Sequence, residues 1–334
     1  MEERVIVTIK DVARKAGVSS MTVSRAFKAE SSIKKETRER ILEIAKSLNY
    51  IPDFNAKSLV TKCKFSIGIF FSSMTTGMSQ IYLGELINKI YELLPENYLL
   101  SVNSINRVMQ MKENIAGRFD GIIIISQSKE DDNFIKEIKE FKLPLVVMNR
   151  EIKDSKVVNV ASDEEKGINE LAFFLKNRGI QKVGTISGMS GFFSTKKRLE
   201  YFTIAAKKNN LNLMPRAIQS GDYSIESGYK AMEVILREKD IPEAIFCAND
   251  DMAIGAIKAC VDNGLNVPKD ISIAGFDDTD YVKYLTPALT TIHKPYEEMA
   301  KLSMELLLKL INKENVETKK YILESKLIKR ESII

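Results

Sequence analysis

Residues 8–25 read Thr8-Ile9-Lys10-Asp11-Val12-Ala13-Arg14-Lys15-Ala16-Gly17-Val18-Ser19-Ser20-Met21-Thr22-Val23-Ser24-Arg25. Ile9, Val12, Ala13 and Ala16 recur at three- and four-residue spacing, which predicts a short amphipathic helix. Thr8 is placed to cap it, Asp11 to complete a Thr-x-x-Asp cap, and Gly17 to end it. After Gly17-Val18, Ser19 caps a second predicted helix from Ser20 to Phe27, with Val23, Ala26 and Phe27 turned inward. A third runs from Lys35 to Leu48 with Ile41, Ile44, Ala45 and Leu48 on one face. A helix, a glycine turn and a helix inside a three-helix unit is a DNA-reading geometry, whose second helix enters the major groove.

The charge agrees with that reading. Met1 to Lys64 holds 14 basic and 8 acidic residues, a net +6, and the rest of the 334-residue chain nets −1. A small basic unit on a larger near-neutral one is what phosphate neutralisation calls for.

Taken with Leu48-Asn49-Tyr50-Ile51-Pro52, these runs resemble the headpiece of the lactose repressor (LacI/GalR) family. The resemblance implies that Ser20, Met21 and Arg25 face base edges, Arg25 being able to donate two hydrogen bonds to a guanine. Thr8, Ser19, Thr22, Ser24 and Thr37 offer hydroxyls, and Lys28 and Lys34 charge, to phosphates that fix register. Asp53-Phe54-Asn55-Ala56-Lys57-Ser58-Leu59 resembles the family's hinge helix, with Lys57 against DNA and Leu59 as a minor-groove wedge. Lys57 stands where the family usually has Arg and Asp53 where it has Asn, and Asp53 would be repelled by phosphate.

Outward from the headpiece, 44% hydrophobic and 28% charged residues describe a soluble globular chain long enough for two or three domains. No apolar run approaches a membrane span, and residues 1–10 lack the apolar core of a signal peptide, so a cytoplasmic protein is expected. Three cysteines without close spacing read as reduced structural thiols. A single histidine, His293, leaves most hydrolase templates and His-ligated metal sites without parts.

From Phe65 onward short apolar runs alternate with helical patterns, as in parallel sheets covered by helices. Strands are predicted at Ser66–Phe71, Leu99–Val102, Gly121–Ile125, Leu145–Met148 and Val157–Val160, then Lys182–Ile186, Ala217–Gln219, Ala244–Ala248 and Ser272–Phe276. Helices are predicted near Gln80–Leu94, Lys112–Gly117, Asn133–Glu140, Gly167–Arg178, Lys196–Asn209, Ile225–Glu238 and Met252–Asn263, and a last one at Tyr296–Ile311. Neither half carries GxGxxG or a P-loop, which argues against a dinucleotide fold and an NTPase.

The resemblance to the family continues through Phe119-Asp120-Gly121-Ile122-Ile123, Ala248-Asn249-Asp250-Asp251-Met252-Ala253-Ile254-Gly255, Gly275-Phe276-Asp277-Asp278 and Leu285-Thr286-Pro287-Ala288-Leu289-Thr290-Thr291-Ile292. It implies a small all-α helix-turn-helix headpiece plus an α/β periplasmic-binding-protein-like core of two parallel-sheet subdomains. The expected division is headpiece 1–50, hinge 51–64, first subdomain 65–162 with 294–320, and second subdomain 163–293 with 321–334. Ligand residues in open α/β sheets lie beyond the carboxyl ends of strands. On that ground Asp277, Asn249 and Asp163 are candidates, and the family's pattern adds Arg198 as pocket arginine and Tyr223 as stacking aromatic, with Phe192, Ser73 and Asn149. The bland alternatives are helix caps, an internal ion pair for Arg198, and a core tyrosine.

The function so implied is a transcriptional regulator, a repressor, that reads a pseudo-palindromic operator in double-stranded DNA as a homodimer. A small molecule in the cleft, a sugar or sugar derivative, controls it, and no cofactor or membrane is involved. A cytoplasmic solute-binding sensory protein without gene control is the other reading, and an enzyme is disfavoured for want of a nucleophile, metal cluster or phosphate loop.

Overall fold

The computed structural model describes residues 7–27, 33–50, 63–74, 77, 79–111 and 115–334. The chain divides into two units at Lys64/Phe65.

In the first unit α1 is Ile9–Ala16, α2 Ser20–Ala26 and α3 Lys35–Ser47. Asp11 Oδ2 accepts from Thr8 N (2.9 Å) and from the Thr8 hydroxyl (2.7 Å), which fastens the start of α1. Gly17 sits at φ 65°, a left-handed turn that a side chain resists, and its N–H returns to the end of α1. Ser19 Oγ accepts from Thr22 N at 3.2 Å and caps α2. Val12, Val23, Ala26 and Ile41 are fully buried and make the three helices one small core. Phe27, expected inside, instead closes α2 at the surface, edge-on to Tyr50 at 5.9 Å. Arg38 Nε donates to Ala26 O (2.9 Å) and so ties α3 to the end of α2.

The second unit holds two six-stranded sheets. The first has β1 Ser66–Phe71, β2 Leu99–Ser104, β3 Gly121–Ile125, β4 Leu145–Met148, β5 Val158–Asp163 and β11 Lys320–Glu324, in the order β11-β5-β4-β3-β1-β2, all parallel. Its helices are α4 Gln80–Glu92, α5 Ile105–Met111, α6 Asp131–Glu140 and α11 Tyr296–Ile311. The second has β6 Lys182–Ser187, β7 Asn212–Ser220, β8 Ala244–Cys247, β9 Ser272–Asp277, β10 Thr290–His293 and β12 Lys326–Ile328, in the order β12-β10-β9-β8-β6-β7, with β12 alone antiparallel. Its helices are α7 Glu164–Asn177, α8 Phe193–Lys208, α9 Ile225–Leu236 and α10 Asp250–Asp262. Each sheet buries apolar clusters on both faces, which is why β3 and β8 are apolar at every position. Among the described residues no helix is long and apolar enough to cross a membrane.

Three expectations are corrected. Of the helix expected at Lys112–Gly117, residues 112–114 lie outside the described residues and 115–117 form a turn, and a helix stands before it at Ile105–Met111, where Ile105 and Val108 reach the core. Thr290–His293, where no strand was predicted, is an inner strand whose two threonine hydroxyls are bonded, Thr291 Oγ1 to Asp250 and Thr290 Oγ1 to Arg330 N. The chain returns to the second sheet at Ser325, beyond the expected 320/321 boundary, because Lys320–Glu324 pairs with β5 of the first.

Candidate functional site

In the first unit, the face of α2 opposite Val23 and Ala26 carries the proposed reading residues. Met21 is 65% exposed, Ser24 and Arg25 are exposed, and Ser20 is half-buried. Ser19 and Thr22 share a hydroxyl–hydroxyl contact of 2.9 Å, and the Thr8 hydroxyl is engaged with Asp11, so these three shape the helix starts. Thr37 is half-buried in the first turns of α3. Lys28, Lys57 and Leu59 lie outside the described residues.

In the second unit, the parallel strands of both sheets end at one cleft. The chain passes between subdomains three times, after β5, after β10 and after β11. Arg198 on α8 is buried and grips Glu164, the first residue of α7, at two points: Nε to Oε2 at 3.0 Å and Nη2 to Oε1 at 2.8 Å. Its Nη1 donates to Ala248 O, its guanidinium lies 3.6 Å from the Phe276 ring centroid, and Asp277 Oδ1 stands 3.8 Å from Nη2. Lys294, just past β10, is equally buried, donates to Asn149 Oδ1 and lies 3.4 Å from Glu164.

Two buried cations thus face two buried carboxylates. Burial pushes the Glu164 carboxyl up, but Arg198 and Lys294 outweigh it and hold it below the ordinary carboxylate value. At Asp277 burial wins over the same two cations, and its pKa is pushed up to about 6. Burial likewise lowers Lys294, only partly offset by Glu164.

Asn249 caps α10 through Met252 N (3.0 Å), and its amide donates to Tyr223 O (3.0 Å), so it braces two loops at once. Tyr223, at φ 74°, is buried, with its hydroxyl 2.9 Å from Ser194 Oγ and 2.7 Å from Thr195 Oγ1. Gly188 admits that ring, since a Cβ there would fall 2.0 Å from Tyr223 Cζ.

These groups converge on a cavity of about 30 Å³ lined by Tyr82, Asn149, Arg198, Tyr223, Asn249, Asp277 and Lys294 among others. A larger opening of about 1010 Å³ shares Gln127, Asn149 and Ser194 with it and has Asp163 on its wall. The sequence candidates Asn149, Arg198, Tyr223, Asn249 and Asp277 are therefore brought together. Asp163 caps α7 through Lys166 N at 3.2 Å and faces only the larger opening. Phe192 and Ser73 border neither cavity; Phe192 lies against Tyr223 at 6.2 Å between ring centres, near parallel.

Tyr82, Glu164 and Lys294 were not singled out from sequence. Glu164 and Lys294 each stand directly beyond a strand end, the signal that singled out Asp163 and Asp277. Tyr82 reads as one more apolar position of an amphipathic helix, and no pattern separates it from Leu83 or Leu86. Among the described residues no group of three or more His, Cys, Asp or Glu side chains is placed to hold a metal ion.

Residues 8–53 match the model of bacterial regulatory proteins of the lacI family, and residues 172–333 that of a periplasmic binding protein-like domain. The chain is 39% identical to the probable HTH-type transcriptional repressor ExuR of Bacillus subtilis (strain 168), over 98% of each chain. It is 33% identical to the HTH-type transcriptional regulator MalR of Clostridium butyricum, over 97% of this chain and 98% of that one. Among solved structures, a lac repressor dimer bound to operator and the anti-inducer ONPF superposes with a TM-score of 0.83 at 27% identity, covering 98% of each chain. A helix-turn-helix headpiece followed by two hinged parallel-sheet subdomains, matched end to end by such relatives, places this chain in the lacI family of DNA-binding transcriptional regulators.

Proposed function

We propose that the chain is a repressor that reads a pseudo-palindromic operator as a homodimer, and that a small polyhydroxylated molecule, a sugar or sugar derivative, controls it from the cleft. The observation that carries the effector reading is the convergence of Arg198, Asp277, Asn249 and Tyr223 with Asn149 and Lys294 on one cavity between two subdomains. Carboxylate, amide, guanidinium and ammonium groups around an aromatic are the donors and acceptors that fix a sugar's hydroxyls.

The small cavity, at about 30 Å³, falls far below the roughly 300 to 1,000 Å³ usual for a ligand pocket. A sugar therefore enters only as the subdomains part, and the three chain crossings are where that rotation is absorbed. Ligand and operator are then linked through one equilibrium, with a reciprocal coupling of about 1 to 3 kcal/mol.

Arg25, Ser20 and Met21 are assigned to base edges, Ser24 and Thr37 to phosphates, and Lys57 and Leu59 to the hinge. Selection of bound sequences from random DNA by the purified chain, at stated salt and with a panel of sugars, tests the proposal. A palindromic motif whose recovery changes with one sugar is the expected result. Sugar binding without any enriched motif would favour the sensory reading instead.

A further inference from the structure

One polar group on the cavity wall is left unexplained by the fold. Tyr82, on α4 of the first subdomain, is 5% exposed, and its hydroxyl has no hydrogen-bond partner among the described residues. Buried hydroxyls are nearly always paired, because burial strips their water and returns nothing unless a partner replaces it. The ring cannot readily swing away. It packs edge-on against Tyr296 at 5.6 Å, and the Lys294 ammonium stands 5.9 Å from its centroid. Burial and the nearby Asp277 carboxylate keep the hydroxyl protonated, so it is available as a donor.

Asp277 borders the same cavity and offers the opposite chemistry. Its carboxylate is 3.8 Å from Arg198, beyond hydrogen-bond reach, and is an acceptor when ionised. We propose that Tyr82 is a specificity-determining residue of the cleft: its hydroxyl donates to, and the Asp277 carboxylate accepts from, one alcohol hydroxyl of the ligand. An alcohol is a single group that accepts and donates at once. A ligand carboxylate in that corner would accept from Tyr82 but be repelled by Asp277. Around the cavity Glu164 and Asp277 already balance Arg198 and Lys294, so no surplus positive charge invites an anion there. The inference rests on the reading of the cleft as a sugar site and adds which end of the sugar faces the first subdomain: a neutral, hydroxyl-bearing one.

The test uses the full chain and Tyr82→Phe. Glucose, galactose, mannose, xylose and glucuronate are titrated by calorimetry, and each sugar that binds is repeated with its monodeoxy derivatives. The expected result is that Tyr82→Phe keeps the ligand-free melting temperature and operator affinity, yet binds the sugar about tenfold or more weakly. One monodeoxy derivative should bind the unsubstituted chain equally weakly, and Tyr82→Phe should then weaken it no further. Equal sugar affinity in both proteins, or losses that simply add for every derivative, overturns the assignment of Tyr82 and leaves the sugar reading standing. If none of these sugars binds the unsubstituted chain, the sugar reading fails and the Tyr82 assignment falls with it.

Discussion

Arg198 and Glu164 form a two-point ion pair at 3.0 and 2.8 Å in which both side chains are almost wholly buried, so neither charge has water as an alternative partner. Glu164 opens α7 and Arg198 lies in the second turn of α8; the pair joins the point where the chain first changes subdomain to the wall of the cavity. Removing one partner strands the other. Arg198→Ala should cost about 3 to 5 kcal/mol of unfolding free energy, and the Glu164→Gln/Arg198→Gln double variant less than its two single variants summed. Urea unfolding of the unsubstituted chain, Arg198→Ala, the two single Gln variants and their double variant measures both. Arg198→Lys should also fail, since an ammonium cannot reproduce the parallel pair while holding Ala248 O.

Asp277 supplies the pH dependence. Its pKa rises on folding, from an ordinary value of 3.8 to about 6, because burial outweighs Arg198 and Lys294. The native state therefore takes up a proton more readily than the unfolded one. The resulting stabilisation is full below the unfolded value and is lost as pH rises through about 6. Between pH 7 and pH 4.5 the unsubstituted chain should gain on the order of 2 kcal/mol relative to Asp277→Asn. A difference between the two stability profiles that stays flat across this window would show that Arg198 and Lys294 keep Asp277 ionised. Sugar affinity should move the other way, falling as Asp277 takes its proton and loses the charge that strengthens its hydrogen bond to the ligand.

Much of this fold is legible in the sequence because both faces of each sheet are covered. Gly121–Ile125 and Leu145–Met148 are apolar runs of strand length bounded by turn residues, and they form strands over those spans. Thr290–His293 escaped the same reading because two of its four side chains are hydroxyls, and only the folded sheet brings Asp250 and Arg330 within reach of them. The edge strand Asn212–Ser220 is longer than the predicted Ala217–Gln219 and contains Pro215, which an edge tolerates. At the cleft, Asp277 and Asn249 could be placed because strand ends converge there. Glu164 was hidden behind Asp163, which caps the helix that Glu164 begins. Tyr82 could not be read at all, since its orphaned hydroxyl is a property of packing between subdomains.

The start of α1 depends on Asp11, whose carboxylate takes both the Thr8 N–H and the Thr8 hydroxyl and lies 3.4 Å from Arg14. Asp11→Ala removes those partners and should lower headpiece stability slightly. Because Thr8 and those hydrogen bonds hold the carboxyl below its ordinary value, that stabilisation is present above the unfolded pKa and is lost as pH falls through the folded one. Amide exchange in α1, compared between Asp11→Ala and the unsubstituted chain, should show faster opening confined to the first unit. Unchanged protection of α1 would mean that the helix start is held elsewhere.

Arg25 separates base reading from phosphate holding. It is exposed on the face of α2 opposite Val23 and Ala26, so truncating it disturbs neither the small core nor the Ser19 cap. A bidentate contact to guanine discriminates by about 1 to 3 kcal/mol, whereas a phosphate contact strengthens all sequences alike and adds about one to the salt slope of log affinity. Arg25→Ala should therefore lose about tenfold or more on the selected operator and little on an unrelated duplex, with sugar affinity unchanged. A salt titration of both duplexes decides between the roles. If affinity falls equally on the two and the slope drops by about one, Arg25 holds phosphate, and sequence reading must come from Ser20, Met21 or the hinge.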